Sequence, residues 1–141
     1  MKFYLSYFKL LIICAFTFGA MHFSYAQYCS SSSTSASFCS TSLVSIGSLN
    51  NTSSGCANYS DYTSTYTELV LNGIYNLTIG LNNCSGFTMP KISNVYIDWN
   101  GNETFDVGEE VFHINATSAI AANQTNFSTS ITVPANAVQD T

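Results

Sequence analysis

A period of two runs through residues 75–81, where Tyr75, Leu77, Ile79 and Leu81 alternate with Asn76, Thr78 and Gly80. Successive side chains of an extended strand point to opposite faces, so this pattern predicts an antiparallel strand with one face buried and the other solvated. Val95, Ile97 and Trp99 repeat it against Tyr96 and Asp98, and Phe127, Ile131 and Val133 share a face with Thr129. Segments 43–46, 67–71, 75–81, 92–99, 110–114 and 127–133 read as strands, with Asn, Gly and Ser between them. No stretch after residue 26 spaces its apolar positions for a helix. The expected fold is therefore all-β, an antiparallel β-sandwich of jelly-roll-like or Ig-like type. The Ser- and Thr-rich stretch 30–42 reads as loop or a poorly defined edge.

The first 26 residues follow a different pattern. Lys2 and Lys9 are followed by an apolar run over residues 10–20 and by Ser24-Tyr25-Ala26, a small-x-small cleavage site. This reads as a signal peptide over residues 1–26, with one domain over 27–141 and a secreted or cell-surface destination. The apolar run is short for a membrane span, so no membrane association is expected after cleavage. Beyond it Lys91 is the only basic residue, against eight carboxylates, and the chain has no Arg. Phosphate neutralisation needs a basic surface, so nucleic acid is excluded as a partner, and anionic lipid with it.

Cys29, Cys39, Cys56 and Cys84 follow the leader. An even number in an exported chain favours disulfides, and three pairings are open. A Cys39–Cys56 bridge, closing a short loop across neighbouring strands, is the favoured one. No C-x-x-C occurs and His113 is the single histidine after the leader, which argues against zinc and thiol redox centres. Asn is followed two residues later by Ser or Thr at nine positions, a number that composition alone explains in so polar a chain.

Charge is concentrated at one place. Asp98, Glu103, Asp106, Glu109 and Glu110 fall within thirteen residues that contain no Lys or Arg. Like charges so packed are offset by full solvation or by a bound cation. The spacing favours Ca²⁺. Asp98, Asn100, Asn102, Asp106 and Glu109 place oxygen donors at positions 1, 3, 5, 9 and 12 of a twelve-residue loop, and the Thr104 carbonyl stands at position 7. Glu103 occupies the position where such a loop in an EF-hand has its turn glycine, and the flanks read as strands, so this is a similar loop in a β-hairpin. Phe105, at position 8, is expected to pack inward.

Catalysis is not expected. Neither G-x-S-x-G nor H-E-x-x-H is present, and His113 lies on a predicted strand, where a lone histidine is usually structural. Carbohydrate binding is the competing role, because Trp99 and Tyr96, with Tyr59, Tyr62 and Tyr66, could offer ring faces to an extracellular glycan. Packing within strands is the plainer use of the same aromatics.

The run Val95-Tyr96-Ile97-Asp98-Trp99-Asn100, followed by residues 105–112 (Phe-Asp-Val-Gly-Glu-Glu-Val-Phe), resembles the GEVED domain family of secreted, multidomain bacterial proteins. Tyr28-Cys29 resembles the family's opening, residues 59–64 its middle segment, and Ile131-Thr132-Val133-Pro134 the strand leading to its final portion, so the likeness covers residues 28–141. It implies a non-catalytic accessory domain beside proteases or adhesins of Bacteroidetes-like bacteria, serving attachment or display next to neighbouring domains of a larger secreted protein. It also carries the acidic loop onto Asp98, Asn100, Asn102, Asp106 and Glu109. The family continues with further strands, including its Gly-Glu-Val-Glu-Asp motif, which this sequence lacks. The expectation is a sandwich incomplete at its C-terminus with an unpaired sheet edge, or the product of a gene fragment.

Overall fold

The computed structural model describes residues 39–53, 56–85, 89–120 and 125–138. The leader, Cys29 and most of the 30–42 stretch lie outside the described residues. Every regular element described is a strand: β1 Ser40–Ile46, β2 Leu49–Thr52, β3 Ile74–Asn82, β4 Met89–Tyr96, β5 Glu110–Ile120 and β6 Thr125–Thr132. They form a four-stranded sheet in the order β2-β1-β3-β6 and a two-stranded sheet of β4 and β5, with every pairing antiparallel.

The period of two decides which residues meet between the sheets. Leu77, Ile79 and Leu81 of β3 are almost fully buried, joined by Ile46 of β1, Ile131 of β6 and Ile114 of β5. Val95, Ile97, Trp99, Phe112 and Phe127 pack against this cluster. Ile114 and its neighbours bring the two-stranded sheet onto the larger one. The result is sandwich-like and all-β, as the alternation predicts, but two strands facing four do not close it. Burying each such side chain contributes about 1.5–3 kcal/mol.

Segment 67–71 is not a strand. The chain reverses there, with Gly73 N–H donating to the Val70 carbonyl at 2.8 Å and Asn72 at φ 61°. The Val70 N–H is taken by the Tyr75 hydroxyl at 2.8 Å, and the Val70 and Leu71 side chains are exposed. The largely apolar segment Leu69-Val70-Leu71 thus serves as the lead-in to β3, because no partner strand among the described residues lies beside it. Conversely β2, Leu-Asn-Asn-Thr, has weak strand propensity. It forms because the two-residue loop Gly47-Ser48 folds it back on β1, in register from Ile46↔Leu49 to Leu43↔Thr52. Gly47 has φ 58°, and a Cβ there would stand 2.8 Å from Thr67 Oγ1, so glycine is required twice over. β1 also reaches back into the Ser- and Thr-rich stretch. It begins at Ser40, and Ser42, at an irregularity in the β1–β3 register, buries its hydroxyl against the Gly80 carbonyl at 3.1 Å.

A second irregularity positions the site. Val95 pairs with Phe112 but Tyr96 pairs with Glu110, so Val111 is an extra residue in β5. Plain alternation would put Glu110 on the inner face with Phe112 and Ile114. The bulge turns it outward, opposite Tyr96, and lets both Val111 and Phe112 pack on the core.

Candidate functional site

The loop joining β4 to β5 holds all six predicted ligand positions. Its base is closed by Ile97 N–H on the Glu109 carbonyl at 2.9 Å and Glu109 N–H on the Asp106 carbonyl at 3.1 Å. Asp98 organises the first half: Oδ1 accepts from the N–H groups of Gly101 at 2.8 Å and Asn102 at 3.3 Å, and Oδ2 from that of Glu103 at 2.8 Å. Converging N–H groups are what a carboxylate offers a tight turn, and the left-handed φ values of Gly101 (68°) and Glu103 (67°) aim them inward. Glu103 therefore adopts the backbone conformation for which a glycine would be expected at that position.

Asn100 and Asn102 form the next layer. Asn100 Oδ1 accepts from Asn102 N–H at 2.9 Å, and Asn102 Oδ1 accepts from the Thr104 N–H at 2.9 Å and the Thr104 hydroxyl at 2.7 Å. Both amide nitrogens donate to Asp106 Oδ2, at 3.1 and 2.7 Å. Glu109 is buried, with Oε1 accepting from Trp99 N–H at 3.0 Å and Oε2 from Asp106 N–H at 2.8 Å. Solvation and a cation were not the only ways to offset crowded carboxylates, since backbone and amide N–H groups of the same loop do so here.

The donor set has the chemistry of a hard cation, being all oxygen. A carboxylate or amide oxygen that accepts one N–H retains a further lone pair, as the Asn100 Oδ1 that takes the Asn102 N–H does. Among the described residues, however, no three of His, Cys, Asp and Glu gather closely enough to hold a metal ion. Asp98, Asn100, Asn102, Asp106 and the Thr104 carbonyl share the loop, while Glu109 spends its carboxylate on tying the two ends together.

The two predicted ring residues separate. Trp99 packs against the core, and Tyr96 lies on the outer face of the hairpin. Phe105 does not pack inward: it is 43% exposed and stacks on Tyr96, with ring centroids 5.1 Å apart at 29°. Around the rings runs a network that the sequence did not reveal. The Tyr96 hydroxyl donates to Glu110 Oε2 at 3.3 Å and accepts from Asn94 Nδ2 at 3.2 Å. His113 Nδ1 lies 2.8 Å from Asn94 Oδ1 and 3.3 Å from Glu110 Oε1. Tyr59, Tyr62 and Tyr66 are exposed, outside the strands.

The disulfide differs from the expected Cys39–Cys56. Cys56 pairs with Cys84, their Cα atoms 5.9 Å apart, and Cys39 is bonded to neither. Short separation along the chain favoured Cys39, but β3 lies beside β1 and its end carries Cys84 to Cys56. The Ser40 hydroxyl lies 3.4 Å from Cys84 Sγ. Nearby, the Lys91 ammonium donates to the Asn82 carbonyl, and burial lowers its pKa, with the Cys39 thiol opposing the shift. At the far end of the chain's middle segment, the Thr63 backbone N–H, aided by the Thr63 hydroxyl, lowers the pKa of Asp61.

An all-β domain with an N–H-lined acidic loop at one hairpin is the class of protein this arrangement defines. Residues 93–141, which include that whole loop, match the GEVED domain model, so over this segment the chain is similar to GEVED domains. No curated protein and no solved structure matches the chain.

Proposed function

We propose that the chain is a non-catalytic, exported accessory module that displays or attaches its neighbours, and that its 98–109 loop takes Ca²⁺ as a structural ion. The observation that carries the reading is Asp98, whose carboxylate gathers the N–H groups of Gly101, Asn102 and Glu103 while oxygen-bearing side chains follow at alternate positions. The left-handed Glu103 supports it too, because a loop of this spacing bends at its sixth residue. In the bound form Asp98, Asn100, Asn102, Asp106 and the Thr104 carbonyl would hold the ion, with Glu109 closing the set. The ion would supply fixed positive charge and rigidity. Export is supported by the leader pattern and by the Cys56–Cys84 disulfide, and placement within a larger secreted protein by the GEVED segment.

Calorimetric titration of the purified chain with Ca²⁺ tests the metal. The reading expects saturable heat with a Kd in the range of about 10⁻⁴–10⁻³ M typical of extracellular sites. No heat up to several times that concentration would leave the loop as a self-satisfied hairpin and remove the ion from the proposal.

A further inference from the structure

We infer that the outer face of the β4–β5 hairpin, centred on Tyr96 and Phe105, binds an uncharged polysaccharide. The inference rests on the reading of the chain as an extracellular binding module, and it does not require Ca²⁺.

Two stacked rings stand on this face, 38% and 43% exposed, offering aromatic surface beside a strip of polar groups. Asn94, Glu110 and His113 flank them, and each is held by another: Asn94 by His113 and the Tyr96 hydroxyl, Glu110 by the same hydroxyl and His113. Side chains fixed in this way cost little rotamer entropy when a ligand arrives. Together they mix donors and acceptors within one strand spacing of an apolar ledge. A sugar ring presents the complement, C–H groups on one face and hydroxyls at its rim.

Charge narrows the ligand class. Five carboxylates lie in residues 98–110, and Lys91, the one lysine among the described residues, is buried. A phosphorylated, sulfated or uronate-bearing polymer meets repulsion with no exposed Lys or Arg among the described residues to relieve it. Lipid is disfavoured because the polar strip interrupts the apolar surface. An uncharged, hydroxyl-rich polymer remains.

The test is retention of the purified chain on insoluble cellulose and chitin and in gels containing β-1,3-glucan, α-mannan, xylan or starch, each run with Ca²⁺ and with a chelator. Retention by at least one is expected, falling about tenfold in Phe105→Ala and in Asn94→Ala, both exposed positions, with a cooperative melting curve showing that each variant is folded. Trp99→Phe should bind as the parent does. Retention by none of the six overturns the inference, as does retention that survives both Phe105→Ala and Asn94→Ala. Retention abolished by moderate salt also overturns it, in favour of a cationic partner. Binding that persists in chelator while calorimetry shows no Ca²⁺ heat would sink the metal reading alone.

Discussion

Glu109 accepts the main-chain N–H of Trp99 at 3.0 Å from ten residues away, and its other oxygen takes the N–H of Asp106 at 2.8 Å. One buried carboxylate thus joins the departing end of β4 to the returning end of the loop. Glu109→Ala leaves two partly buried N–H groups without acceptors and is expected to cost about 2–3 kcal/mol. Glu109→Gln keeps one acceptor oxygen and should cost about half as much. Urea denaturation measures both; equal stability of Glu109→Ala and parent would show that water replaces the carboxylate.

Asp98 links the loop's fold to its proposed ion. With Ca²⁺ present, a chelator should lower the melting temperature of the parent by a few degrees, through loss of binding to the folded state alone. Asp98→Ala should melt lower than the parent and no longer respond to the chelator. A retained response would detach Asp98 from the metal.

Glu103 sits at φ 67°, where a side chain costs about 1 kcal/mol relative to glycine. Glu103→Gly is expected to raise stability by about 0.5–1 kcal/mol, since it also removes one of five crowded carboxylates. A loss of stability in urea would mean that the Glu103 side chain makes an offsetting contact.

Cys56 and Cys84 are 28 residues apart, so their bond restricts a sizeable loop of the unfolded chain. Paired loss in Cys56→Ser/Cys84→Ser should cost about 3–4 kcal/mol. Cys39→Ser should be nearly neutral. Peptide mapping without reduction gives the direct check, and a Cys39–Cys56 peptide would contradict the structure.

Lys91 is buried with its pKa lowered from the ordinary 10.5. Over the interval below 10.5 the unfolded chain therefore binds more protons at this site than the folded one, and stability rises with pH as the folded lysine gives up its proton. Lys91→Met removes that rise. Urea midpoints compared at about pH 8 and pH 10 should diverge between parent and variant, tyrosine ionisation being common to both; parallel profiles would show that Lys91 stays as solvated as in the unfolded chain.

The sequence by itself determined the inner faces. Leu77, Ile79 and Leu81 declared themselves by alternation, because a period of two is a local property that burial only has to accept. It also determined the crowding of carboxylates at residues 98–110 and the candidate donors among them. Tertiary structure decided what alternation could not carry. Segment 67–71 has strand-like residues but no partner strand among the described residues, whereas Leu49–Thr52 has one and so becomes a strand. One extra residue at Val111 reverses the face of Glu110 and brings it beside Tyr96 and His113, on the face where alternation already places Asn94. Cys84 reaches Cys56 only because β3 inserts beside β1. Each of these depends on which backbone lies alongside which, a matter of hydrogen bonds between distant residues that no local pattern encodes.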